Sequence, residues 1–173
     1  YYILVSGISS NSAFVVSVAC QGPCAVTCSG PAPTNDACFG AQNLGAIPLP
    51  SACPDGVGTV ATFNGSNVCA TAEANYSSLL GCTPAGDQAT PAADVWYRFS
   101  ITAPILNVTL NGLGTPNIAL YEGTNCLNLI PRGCAIGASG FLTRQFQGLA
   151  PGTYYLQVSG GDVLDRCTFS LSL

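Results

Sequence analysis

The chain has 173 residues, only 7% of them charged, with four arginines, no lysine, no histidine and a net charge of −4. So few cations exclude the basic face that a nucleic-acid binder needs to displace counterions, and equally a basic stripe for a membrane surface. Without histidine or lysine, Ser-His-Asp, Cys-His and Ser-Lys catalysis are impossible, so no catalytic residues, no cofactor and no enzyme activity are expected.

Short apolar alternations bounded by Gly, Pro, Asn and Ser recur along the chain, the pattern of an all-β protein. In chain order, strands are predicted over 1–6, 13–20, 58–63, 94–101, 105–110, 117–122, 141–147, 153–159 and 168–173. Residues 38–47 are ambiguous and fit a helical turn. Residues 64–92, rich in Asn, Ser, Thr, Gly and Pro, read as a long surface loop. Ala150-Pro151-Gly152 has the residue order of a type II turn. In 153–159, Tyr154, Leu156 and Val158 alternate with Tyr155, Gln157 and Ser159, so one face is apolar. No apolar run approaches the ~18 residues of a membrane span.

The two ends repeat each other. YYILVSG at residues 1–7 matches YYLQVSG at 154–160, and Phe14, Val16 and Val18 match Phe169, Leu171 and Leu173. We read this as an internal repeat of one β-hairpin. Between the N-terminal copy and the rest, residues 21–35 are rich in Cys, Pro and Gly and read as a linker. The organisation expected is therefore a hairpin over 1–20, a linker over 21–35 and a β-sandwich over 36–173. No signal-type stretch precedes Tyr1, so either a signal was removed or the chain is part of something longer.

Ten cysteines, at positions 20, 24, 28, 38, 53, 69, 82, 126, 134 and 167, lack the histidine partners and C-x-x-C knuckles of metal sites. An oxidising, extracellular or cell-surface setting with up to five disulfides fits them better. Sequence proximity favours Cys38–Cys53, Cys69–Cys82 and Cys126–Cys134, closing loops of about eight to fifteen residues and worth roughly 3 kcal/mol each. Cys20, Cys24, Cys28 and Cys167 are left, so Cys167 is expected to pair with an N-terminal cysteine of its own chain or of a neighbour.

The order Pro33-Thr34-Asn35-Asp36-Ala37-Cys38, Asp94-Val95-Trp96-Tyr97-Arg98-Phe99, Ala119-Leu120-Tyr121-Glu122-Gly123 and Gly152-Thr153-Tyr154-Tyr155 resembles the tandem β-sandwich domains of secreted bacterial surface proteins, similar to bacterial pre-peptidase C-terminal domains. The resemblance implies an antiparallel, jelly-roll-like sandwich that acts as an accessory module without catalysis. It also makes residues 1–20 look like the tail of a preceding domain.

Other sites are weighed by residue chemistry. Asp162 and Asp165 near the last strand offer oxygen ligands to calcium, although turn formation explains them more simply, and no metal site is expected. Trp96, the single tryptophan, suits either a sugar platform or a second buried face, with the structural role favoured. Asn64, Asn75 and Asn107 open N-x-[ST] sequons, so covalent glycans are candidate partners, with Asn64 and Asn75 expected in the polar loop. Tyr1, Ile3, Val5, Phe14, Val16 and Val18 form an uncharged apolar segment. It either belongs to a preceding domain or adds strands to a neighbouring subunit, which would make a head-to-tail homopolymer. The leading expectation is a structural subunit of an extracellular fibre. The alternative is an accessory glycan- or protein-binding module.

Overall fold

A computed structural model describes residues 27–47, 60–73, 93–161 and 165–173. The predicted strands 1–6 and 13–20 lie outside these, as do Tyr1, Ile3, Val5, Phe14, Val16, Val18, Cys20, Cys24, Cys53, Cys82, Asn75 and Asp162.

After a 3-10 turn at Cys38–Gly40 come β1 (Gln42–Ala46), β2 (Thr62–Ser66), β3 (Asp94–Ile101), β4 (Ile105–Asn111), β5 (Asn117–Glu122), β6 (Ile130–Ile136), β7 (Phe141–Gln147), β8 (Gly152–Ser159) and β9 (Thr168–Ser172). They form two sheets, a five-stranded one ordered β1-β3-β8-β5-β6 and a four-stranded one ordered β2-β9-β4-β7. The fold is an all-β, disulfide-containing sandwich. The pairings are antiparallel except β1 with β3, which run parallel.

Alternation along each strand builds the core between the sheets. Val95, Tyr97, Phe99 and Ile101 of β3 and Tyr154, Leu156 and Val158 of β8 face Leu106, Val108 and Leu110 of β4 and Phe169 and Leu171 of β9. Tyr97 meets Phe169 edge-on at 6.3 Å between ring centres. Burying such side chains is worth about 1.5–3 kcal/mol each. Tyr154 adds a hydroxyl that donates to the Ala150 carbonyl at 2.7 Å, which pins the loop before β8.

Five sequence expectations need correction. Residues 38–47 split into the 3-10 turn and β1, where Asn43 accepts from the Gly45 N–H and a bulge displaces Leu44. Strand β6 carries Pro131 and Gly133, which hid it. It is an edge strand, where proline is tolerated, and a bulge there absorbs Arg132. Gly152 opens β8 without a left-handed φ, so no type II turn forms there, and the left-handed glycine of that loop is Gly148 at φ 69°. Residues 153–159 and 168–173 are not a hairpin, because β8 lies in one sheet and β9 in the other. The connection between them is too long for a tight turn and is tied down elsewhere by Asp165.

The disulfides are the fifth correction. Cys28 bonds Cys69 and Cys38 bonds Cys126, across 41 and 88 residues, in place of the local pairs. Proximity in the sandwich, not in sequence, selected them. Loops of that length raise the chain-entropy stabilisation to roughly 4–4.5 kcal/mol per bond. Cys134 and Cys167 are also disulfide-bonded. The Cys28–Cys69 bond, with a buried Asn35, fastens the end of the expected linker to the sandwich.

Candidate functional site

Among the described residues, three regions hold the polar chemistry. The first is the outer face of the five-stranded sheet. Trp96, Ala119, Tyr121 and Tyr155 project outward from β3, β5 and β8, yet all are buried, together with the Cys38–Cys126 disulfide. Residues around the 3-10 turn cover them. Asn35 donates through its side chain to the Trp96 carbonyl at 3.1 Å and accepts the Trp96 N–H on its own carbonyl at 2.8 Å. Trp96 is 0% exposed and lies 5.6 Å from Tyr121, so it offers no platform for a sugar.

Carboxylates stitch this cover in place. Asp36 accepts from the Thr71 N–H at 2.6 Å and the Thr71 hydroxyl at 2.8 Å. Glu73 accepts from the Cys38 N–H at 3.2 Å, and Asp94 from the Glu73 N–H at 3.1 Å. Asp94 also accepts from the Gln157 amide, whose oxygen takes the Tyr121 hydroxyl at 3.3 Å. Burial drives the Asp94 carboxyl up to about 7, against the pull of Gln157 and the Glu73 N–H, and the nearby Glu73 and Asp36 charges add to the rise. Burial likewise raises Glu73. These carboxyls serve backbone donors. Among the described residues no cluster of His, Cys, Asp and Glu has the arrangement of a metal site.

Asp165 follows the same logic. It is buried, and its carboxylate accepts from the N–H groups of Gly114 and Thr115, both at 2.7 Å, and of Gly161 at 3.1 Å. The Asp165 oxygens, suggested as calcium ligands, are used to anchor the β8–β9 connection. Asn67, which no sequence signal singled out, does comparable work. It is fully buried, donates to the Ala93 and Asp165 carbonyls and accepts the Cys167 N–H.

The second region is a cleft of about 680 Å³ on the flank where β1 and β2 lie at the edges of their sheets. Among the described residues β1 pairs only with β3, and β2 only with β9. Asn35, Gln42, Asn64, Tyr97, Asn111 and Ser170 line it, and no charged residue does. Gly65 opens it: a Cβ there would stand 2.2 Å from the Tyr97 hydroxyl and 2.5 Å from the Phe169 ring. Burial pushes the Tyr97 hydroxyl up to about 12.

The third region is the outer face of the four-stranded sheet. Register aligns Thr62, Ser172, Thr109 and Thr143 in one row across β2, β9, β4 and β7, and Asn64, Ser170, Asn111 and Phe141 in another. Thr62 and Ser172 hydroxyls are 3.1 Å apart, Thr109 and Thr143 hydroxyls 3.4 Å. Gln145 donates to the Asn107 side-chain oxygen at 2.9 Å. Asn64 and Asn107 are both exposed here, on strands; Asn64 was expected in a loop.

No family model and no curated protein matches the chain. Solved structures do. The chain is similar to the pre-peptidase C-terminal domain of a collagenase from Bacillus anthracis, at 18% identity and TM-score 0.40 over 76% of this chain and 91% of that one. It is also similar to PliG of Aeromonas hydrophila, a periplasmic inhibitor of g-type lysozyme, at 15% identity and TM-score 0.42 over 76% and 94%. Among the described residues no helix is long and apolar enough to cross a membrane.

Proposed function

We propose that this chain is a non-enzymatic structural subunit of an extracellular fibre or surface assembly, joined head to tail through residues 1–20. The observation that carries this reading is the structure of the repeated segment's C-terminal copy. Its two strands, β8 and β9, are interior strands of different sheets: β8 lies between β3 and β5, and β9 between β2 and β4. The motif is an arch that gives one strand to each layer, and it fills an interior position in both. Residues 1–18 carry the same pattern of aromatic and aliphatic positions. A second arch needs two sheet edges facing one another across a sandwich, and β1 and β2 on the flank of a neighbouring copy meet that need, with the cleft between them. Strand addition of this kind draws its affinity from main-chain hydrogen bonds. Disulfides across 41 and 88 residues support an oxidising, extracellular setting.

The uncharged cleft also favours a second reading, an accessory module that binds a neutral glycan or a peptide there. Its volume and its carboxamide and hydroxyl lining suit such a ligand. Deleting residues 1–18, which retains all ten cysteines, separates the two. Under the fibre reading, electron micrographs of the full chain contain filaments and those of the deletion variant contain discrete particles. Discrete particles from both, with saturable glycan binding, would favour the second.

A further inference from the structure

We infer that Asn64 and Asn107 carry N-linked glycans and that the outer face of the four-stranded sheet is the sugar-bearing surface of the protein. This goes beyond the assembly reading and does not depend on it.

Three observations converge on that face. The first is position. Both described sequons fall on strands of the same sheet, Asn64-Gly65-Ser66 on β2 and Asn107-Val108-Thr109 on β4. The two-residue period of a strand puts each asparagine and its hydroxyl partner on one side, and for both sequons that is the solvent side. The second is spacing. Strand β9 lies between them, and Asn64 shares a row with Asn111, four residues beyond Asn107. Strand geometry then separates the two acceptors by about 16 Å, room for two sugars side by side.

The third is charge. Folded domains hold themselves in water with surfaces of about 25–35% charged residues. This chain has 7% in all, and the hydroxyl and carboxamide rows of the sheet contain none. Covalent sugar supplies the hydration that charge supplies elsewhere. At Asn107, Gln145 holds the side-chain oxygen, so the nitrogen that would bear the sugar is on the opposite edge of the carboxamide.

The chemistry requires a glycosyl pyrophosphate donor and a transferase. The Nδ2 atom forms a bond to the anomeric carbon, and the bond from that carbon to the phosphate oxygen breaks. The pyrophosphate leaves with the electron pair, one amide proton passes to a base, and nothing is oxidised or reduced.

Glycopeptide mapping by electron-transfer fragmentation, on protein purified from its native host, tests the assignment. Sugar masses are expected on the peptides containing Asn64 and Asn107, localised to the asparagines. Expressed in the same host, Thr109→Ala should lose the sugar at Asn107 and Thr109→Ser should keep it, with unchanged circular dichroism in both. Unmodified Asn64 and Asn107, sugar confined to serine and threonine, or sugar persisting at Asn107 in Thr109→Ala would each overturn it.

Discussion

The two sheets of the sandwich treat their outer faces in opposite ways. The five-stranded sheet buries Trp96, Tyr121 and Tyr155 under a strap held by Asn35, Asp36, Glu73 and the Cys38–Cys126 disulfide. The four-stranded sheet leaves Thr, Ser, Asn and Gln in rows facing water. One face has become a second core and the other a surface without charge. The difference teaches that outward-pointing strand positions are not one class: the packed cluster of Trp96, Tyr121 and Tyr155 is roofed over, whereas hydroxyls, carboxamides and the half-exposed Phe141 face water on the other sheet.

This contrast has measurable consequences, the largest from the covered face. Trp96→Ala should cost about 3–5 kcal/mol in urea unfolding, because it empties a fully buried site. Replacing Cys38 and Cys126 together by serine should cost about 4 kcal/mol and free the strap, read as faster proteolysis near residue 38. Asp94 gives the covered face a pH dependence. Its carboxyl sits at about 7 in the fold and about 3.9 in the unfolded chain, so between those values the folded state holds the extra proton. Its contribution to stability is full below about pH 4 and is lost as pH rises through 7, by roughly 4 kcal/mol in all. Asp94→Asn should flatten that slope; an unchanged slope would remove Asp94 as its source. In the cleft, Gly65→Ala should cost about 1–3 kcal/mol by forcing Tyr97 and Phe169 aside. On the bare face, Thr143→Ala should change stability by no more than about 0.5 kcal/mol. A loss there as large as that of Trp96→Ala would break the comparison.

Much of the sandwich was legible in the sequence because its strands alternate cleanly. Strands β3, β5 and β7 begin and end where periodicity put them, at Asp94–Ile101, Asn117–Glu122 and Phe141–Gln147. β6 was hidden by Pro131 and Gly133, residues that only an edge position excuses. The inner face of β3 was readable from Tyr97, Phe99 and Ile101, and Trp96 on its other face was rightly weighted toward burial. What covers Trp96 was not readable, since that depends on a strap distant in sequence. The disulfides failed for the same reason: Cys38 meets Cys126 only because the β5–β6 connection reaches the strap. Sequence reading took the arch of β8 and β9 for a hairpin, since strand pattern alone does not say whether two strands pair or cross between layers. Asp165 and Asn67 carry no motif, and their roles rest entirely on backbone groups that the fold brings to them.

The central claim is that residues 1–18 of one copy complete the flank of another. Mixing the full chain with a variant lacking residues 1–18 tests it most directly. Under that claim the variant would keep the accepting edges of β1 and β2 but lack the segment to donate, so it should cap growing ends. Mean filament length in micrographs should fall as the proportion of variant rises. Filaments of unchanged length at equimolar variant, or a full chain that forms none, would contradict head-to-tail assembly through this segment.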